Sequence, residues 1–232
     1  MSAKHPGLAV VIPTLDAAAT LADTLAALAA GDRLLHEIVV ADGGSSDATI
    51  ALATIGGARV VAAPRGRGRQ LAAGARATSA EWLLFVHADT RLGAGWANEA
   101  AAFMNTGSTA TGNEAAAAFH FALDDADPAA RRLEAAVAWR CRVLGLPYGD
   151  QGLLLSREFY DRLGGFRPWP LMEDVDLVRR IGRRRLRLLE SLALTSAARY
   201  RHGYLRRSAR NLSCLGLYFL GLPPTWLARL YG

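Results

Sequence analysis

Leu8–Ile12 is an unbroken apolar, β-branched run, the pattern of a strand covered on both faces. Comparable runs return at Glu37–Ala41, Arg59–Ala62 and Trp82–Val86, each separated from the last by a helix-length stretch. In the first of those stretches Leu21, Leu25 and Leu28 recur at helical spacing until Gly31-Asp32 stops the helix. Strands at intervals of roughly 20–30 residues joined by helices predict a parallel sheet wound by right-handed crossovers. Beyond Asp89 the alternation breaks. Thr106–Asn113, rich in Gly, Thr and Asn, reads as a loop. Ala115–Leu123 reads as a strand and Pro128–Leu144 as an amphipathic helix. Gly149–Leu155 predicts a turn entering a strand, and Ser156–Leu163 a short helix closed by Gly164-Gly165. Glu173–Ile181 is a helix with acids in its first turn, and Gly203–Tyr231 two helices parted at Pro223-Pro224. No internal repeat interrupts this order.

Charge adds what periodicity cannot. The net charge of +6 divides unevenly: residues 1–175 carry −4 and residues 176–232 carry +10, with Asp176 and Glu190 the acids among twelve arginines. Such a tail suits an anionic partner, or a solvated face. Cys141 and Cys214 lack metal-ligand spacing, and two distant thiols fit a reducing cytosol. The start, Met1–Gly7 followed by an apolar run ending at Pro13, does not read as a targeting peptide. The apolar stretch Leu212–Leu222 is too short for a membrane span, which needs about 20 residues.

The acids fall where chemistry is expected, because ligands of open α/β sheets collect beyond the carboxyl ends of the strands. Asp42 ends one strand ahead of Gly43-Gly44, where the backbone permits close approach and Ser45 or Ser46 can cap the next helix. As a ligand contact Asp42 would accept from a base or ribose; the simpler reading is a well-capped strand–turn–helix. Asp16, after Pro13-Thr14-Leu15, sits at the matching end of the first strand and is expected to cap a helix more than to meet a ligand. His87 and Asp89 are two apart after Trp82–Val86, so an extended backbone turns both side chains the same way, toward a divalent cation. A carboxylate suits Mg²⁺ or Mn²⁺, and the imidazole favours Mn²⁺. A hydrogen-bonded turn histidine is the commoner explanation of His-x-Asp. Pro64–Gln70 holds Gly-x-Gly but has Leu71 where a dinucleotide fingerprint needs Gly, which excludes that cofactor; Arg69 at a helix start either faces a nucleotide or is solvated. Glu173 and Asp174 suit a helix N-terminus electrostatically, and Trp169 in the stiff Arg167–Leu171 approach offers either a sugar platform or core packing.

The ordered set Val11–Asp16, Val40–Asp47, Val86–Asp89, Gly149–Gly152 and Met172–Asp174 resembles the family 2 glycosyltransferases, over about Leu8 to Ile181. It looks most like a bacterial subgroup of short, stand-alone members. The resemblance implies an α/β, GT-A type fold: a Rossmann-like, mostly parallel central sheet flanked by helices, here with C-terminal amphipathic helices. It implies an inverting, metal-dependent transfer of a single sugar from a UDP- or GDP-linked donor to a hydroxyl acceptor, with Mn²⁺ or Mg²⁺ as cofactor. By the same likeness Thr14, Asp16, Asp42, Arg69 and His87 fall on the donor side, with Asp42 on the base. Asp89 would bind the metal, with His87 as a candidate further ligand. Apart from the likeness, His202 in the basic turn Arg199–Gly203 is either a surface histidine, the default, or a further metal ligand or diphosphate contact once the tail folds back. Asp174 would be the general base, with Asp150, Gln151, Trp169 and Glu173 on the acceptor side. Two departures stand out: His87 replaces the first Asp of Asp-x-Asp, and Arg183-Arg184-Arg185 occupies the place of the Gln-x-x-Arg-Trp of processive synthases.

The expected organisation is a catalytic domain over residues 1–202, its nucleotide-sugar half about 1–92 and its acceptor half about 93–202, then a basic, apolar helical tail over 203–232. That tail is an equal fit to an interfacial helix on the inner face of a membrane, which would bring a lipid or lipid-linked acceptor, and to helices packed on the core or in a homodimer. The expected location is cytoplasmic, peripheral to membrane if the tail binds there, with no nucleic-acid partner. Two competing functions stay open: a sugar-nucleotide nucleotidyltransferase, and a non-catalytic basic protein that binds membrane or nucleic acid. The first lacks its Gly-rich activation loop after the first strand; the second leaves the strand-end acids unexplained.

Overall fold

The computed structural model describes residues 7–110, 114–200 and 203–231. Among the described residues eight strands form one sheet: β1 (Leu8–Thr14), β2 (Leu35–Asp42), β3 (Arg59–Ala62), β4 (Trp82–Phe85), β5 (Thr90–Leu92), β6 (Ala116–Leu123), β7 (Leu153–Ser156) and β8 (Leu186–Thr195). Their order is β3-β2-β1-β4-β7-β6-β8-β5. β3, β2, β1 and β4 run parallel, as do β6 and β8, whereas β7 is antiparallel to both neighbours and β5 to β8. The sheet is therefore mostly parallel and of the expected α/β class. β1 is buried along nearly its whole length, as its unbroken apolar run requires.

Helices cover both faces. Among the described residues they are α1 (Ala18–Leu28), α2 (Thr49–Ile55), α3 (Arg67–Ala77), α4 (Trp96–Ala110), α5 (Pro128–Leu144), α6 (Arg157–Arg162), α7 (Glu173–Ile181), α8 (Tyr204–Phe219) and α9 (Pro224–Tyr231). One core, under α1 and α4, gathers Leu21, Leu28, Trp96 and Met104 against Val10, Ile12 and Leu84 of the sheet. The other gathers Leu71, Phe85, Phe159, Phe166 and Leu177. α5 starts with Pro128 at its first position and Asp127 accepting from the Ala129 N–H, and it stops at Gly145 in the left-handed conformation, as the sequence pattern requires.

Two expectations need correction. The loop expected over Thr106–Asn113 is helical through Ala110, because Trp96, Ala100, Phe103 and Met104 supply a buried face that outweighs the Gly and Thr content; residues 111–113 lie outside the described residues. Sequence periodicity also overlooked β8, ten residues long and central to the second half. Its half-exposed, leucine-rich run carries no Gly or Pro punctuation. The tail is not a free appendage: Cys214, Leu215 and Leu227 are buried against Met172 and Val175, and Arg179 of α7 lies over the rings of Tyr218 and Phe219. Among the described residues no helix is long and apolar enough to cross a membrane.

Candidate active site

β1 and β2 end side by side, and their last residues are joined. The Thr14 hydroxyl donates to Asp42 Oδ1 at 2.9 Å, while the Gly44 and Ser45 N–H groups donate to Oδ2 at 2.9 and 2.8 Å. Burial pushes the Asp42 carboxyl up, but hydrogen bonds from Ser45, Thr14 and Gly44 outweigh it and hold the group below the usual carboxylate range. Gln70 of α3, buried, donates its amide N–H to the carbonyls of both Thr14 and Ala41, clamping the two strand ends. Asp16 is exposed and does not cap α1. It adopts φ +48° and accepts from the Ser46 N–H at 2.8 Å. The capping falls instead to Asp47, which accepts from the Ala18 N–H at 3.0 Å and the Thr49 N–H at 2.9 Å, so neither Ser45 nor Ser46 caps α2. Its two carboxylate oxygens meet one helix start each, Oδ2 at α1 and Oδ1 at α2.

Two cavities open at this end of the sheet. The larger, about 470 Å³, is walled by Thr14–Ala17, Arg65–Arg67 and the turn His87–Asp89. The smaller, about 100 Å³, is walled by Tyr148, Asp150 and Asp174, with Thr195 from β8 and Arg207 and Asn211 from α8. Arg67, His87 and Ser196 line both, so the cavities meet at a shared rim. The His87–Asp89 turn is held from two sides: the Thr24 hydroxyl donates to the Ala88 carbonyl at 2.9 Å and the Ser196 N–H to the Asp89 carbonyl at 3.0 Å.

α7 delivers three acids to three different partners. Glu173 is fully buried and paired with Arg67. Burial pushes the Glu173 carboxyl up and Arg67 pulls it back, while Glu173 in turn raises the Arg67 guanidinium. Asp174 faces the smaller cavity, accepting from the Gly149 N–H at 2.9 Å and from the Val175 N–H at 2.8 Å. Asp176 is buried against Arg180 and Arg167. Met172, just before them, holds φ +65°; with Asp16 it is one of two non-glycine residues in the left-handed region among the described residues, and each lines a cavity. The close approach behind this pairing depends on Gly68, where a Cβ would lie 2.3 Å from the Arg167 carbonyl oxygen.

Several expected residues stand elsewhere. Arg69 is exposed and lines neither cavity; Arg67, on the same turn of α3, lines both. Gln151 is buried, its amide N–H donating to the Phe119 carbonyl at 2.9 Å and its oxygen accepting from the Tyr148 N–H at 3.3 Å, so it braces the turn rather than facing the cavity. Trp169 packs edge-on against Tyr218 at 6.4 Å and under Arg167, fastening α8 rather than lining either cavity. His202 lies outside the described residues. Sequence reasoning overlooked Tyr148, Ser196, Arg207 and Asn211. Burial pushes the Tyr148 hydroxyl up to about 12, with Arg140 opposing, so it is a neutral wall group.

Among the described residues no group of three or more His, Cys, Asp or Glu could hold a metal unaided. His87 and Asp89 supply one imidazole and one carboxylate beside the larger cavity. That donor set fits Mg²⁺ or Mn²⁺ when a ligand's phosphate oxygens and water complete the shell.

Gly149 is the hinge of the geometry. A Cβ there would lie 2.6 Å from His87 Nε2 and 3.4 Å from Asp174 Oδ2. Gly149→Ala, at a position of ordinary φ, is expected to displace the His87 ring and lower kcat by roughly 10–100-fold, since an ångström of misplacement can cost that much. Steady-state turnover beside a thermal melt checks it; unchanged turnover would show that His87 needs no such placement.

Residues 9–114 match the family model described as glycosyl transferase family 2. Comparison with the curated proteins gives no match. Among solved structures, glucosyl-3-phosphoglycerate synthase from Mycobacterium tuberculosis, in complex with Mn²⁺, UDP and glucosyl-3-phosphoglycerate, is 24% identical, with a TM-score of 0.54 over 82% of this chain and 70% of that one. The same synthase has been crystallised with Mg²⁺ and UDP, again at 24% identity and a TM-score of 0.54, covering 82% of this chain and 69% of that one. S. aureus TarS, residues 1–349, is 14% identical with a TM-score of 0.61, over 82% of this chain and 60% of that one. At these identities the likeness to the solved structures is one of fold.

Proposed function

Taking the chain as a glycosyltransferase with a family 2 domain over residues 9–114, we propose that it transfers one sugar, with inversion, from a UDP- or GDP-linked donor to a hydroxyl acceptor, using Mn²⁺ or Mg²⁺. The observation that carries this reading is the shared rim: Asp89 on the wall of one cavity and Asp174 on the wall of the other, with Arg67 and His87 common to both. The donor diphosphate lies in the larger cavity, where Arg65 and Arg67 offset its charge. His87 and Asp89 would hold the metal, which when bound would supply positive charge against the negative charge of the leaving diphosphate. The acceptor hydroxyl sits in the smaller cavity and gives its proton to Asp174 as its oxygen attacks the anomeric carbon. The new bond forms opposite the one that breaks, so the nucleoside diphosphate leaves from the other face and the anomeric configuration inverts. The M. tuberculosis synthase has been crystallised with UDP and Mn²⁺ or Mg²⁺, and with UDP-glucose and phosphoglyceric acid, which supports a uridine nucleotide as the first donor to try. Attachment to a membrane through residues 203–232, with a lipid or lipid-linked acceptor, belongs to the same reading.

Thermal melts with UDP-, GDP- and dTDP-sugars, with Mn²⁺ or with chelator, test it. One donor should stabilise the chain by about 2.7 kcal/mol at a hundred times its Kd, and only with the metal. Asp89→Ala should abolish the metal-dependent part. Stabilisation that survives the chelator would remove the metal; no response to any sugar nucleotide would remove the donor.

A further inference from the structure

α8 has two working faces. Its inner face sets Arg207 and Asn211, four residues apart, on the wall of the smaller cavity and buries Cys214 and Leu215. Its outer face carries Leu205, Leu212 and Phe219 at intervals of seven, 88%, 69% and 48% exposed. Seven residues return to almost the same side of a helix, so these three form one line. Leu220, before the turn at Gly221, and Trp226 and Leu230 of α9 are exposed as well. Arg206, Arg210 and Arg229 are exposed, and residues 203–232 contain no Asp or Glu. A core-packed helix pair needs neither an outward line of large apolar side chains nor a charge of one sign.

We infer that the outer face of α8–α9 docks on an anionic lipid surface, with Leu205, Leu212, Phe219 and Trp226 entering the headgroup boundary and the arginines meeting lipid phosphates. Apolar side chains beside arginines on one helical surface are the composition that binds at a bilayer interface. Charge selects this occupant: a second copy of the chain would set one acid-free arginine face against another. Because the opposite face of α8 lines the smaller cavity, docking brings that cavity to the membrane surface. Resting on the glycosyl-transfer reading, this makes the acceptor a hydroxyl carried on a lipid or held at its headgroups.

Flotation of the full chain with vesicles tests the docking separately from the chemistry. The protein should rise with phosphatidylcholine vesicles that contain phosphatidylglycerol, stay down with phosphatidylcholine alone, and be released by salt. Leu212→Glu with Phe219→Glu should abolish flotation while leaving the donor-dependent thermal shift intact. Arg206→Glu with Arg229→Glu should cut vesicle partitioning by roughly tenfold or more. A wild-type chain that fails to rise with either vesicle overturns the docking. So does a dimer in gel filtration that Leu212→Glu converts to monomer without any flotation, since the face is then a self-interface. Flotation without a thermal shift from any sugar nucleotide upholds the docking and removes the transferase reading instead.

Discussion

Asp174→Asn should lose about 10²–10⁴-fold in kcat, the contribution of a positioned carboxylate base, while binding its donor almost as before. Asp174 lines the smaller cavity and not the larger, so its loss touches the acceptor and spares the nucleotide. The amide keeps the shape of the carboxylate but sets an NH₂ group against the N–H of either Gly149 or Val175, a local cost of about 1–3 kcal/mol. A melt of the variant measures that cost, and donor titration with Mn²⁺ shows whether the nucleotide site is intact. Slow transfer with normal donor affinity supports the assignment. Near-normal turnover would take Asp174 out of the reaction.

Arg67→Met should be the most destabilising single change near the site. Glu173 is fully buried and Arg67 is its ionic partner, so the variant strands a carboxylate in the interior. Breaking such a pair costs about 3–5 kcal/mol, enough to lower Tm by roughly 6–20 °C in a chain of this size. The effect should depend on pH in one direction. Burial raises the Glu173 carboxyl, and without the guanidinium it rises further. A group whose pKa is raised on folding gives its stability below its unfolded value and loses it as pH rises through the folded one. Arg67→Met should therefore melt closer to wild type near pH 5 than at pH 8. A deficit that is constant across that range would mean that Glu173 stays ionised without its partner. Glu173→Gln in the same background should restore part of the loss, because it removes the stranded charge.

What the sequence revealed follows from how each residue is buried. β1, β4 and the second half of β2 are covered on both faces, so their apolar runs are continuous and the acids at their ends stand out. β8 is half exposed, and a leucine-rich run of that kind suits a helix as well as a strand. The arginines of the 64–70 segment show a second limit. Arg65, Arg67 and Arg69 alternate with glycines, and which of them faces inward depends on where the helix begins. α3 starts at Arg67, and Gly68 lets its backbone press against residues 167–169, which carries Arg67 to Glu173. Neither fact is written in the spacing. Gln151 and Gln70 are a third case: a glutamine that braces backbone carbonyls looks, in sequence, like one that could meet a ligand. Arg207 and Asn211 were beyond reach because nothing local says that α8 folds back over the sheet's carboxyl edge.

Thr195, at the end of β8, shares its hydroxyl between two turns. It lies 3.1 Å from the Thr90 hydroxyl beside the His87–Asp89 turn, and it donates to the Asp150 carbonyl at 3.1 Å. The turn that carries Asp89 and the turn that carries Asp150 are thus bridged through this side chain, beside the pairing of Thr90 with Thr195 and the Ser196 N–H bond to the Asp89 carbonyl. A fold that must catch two reactants at bond-making distance needs such a spacer, and here one strand terminus sets the width of the gap.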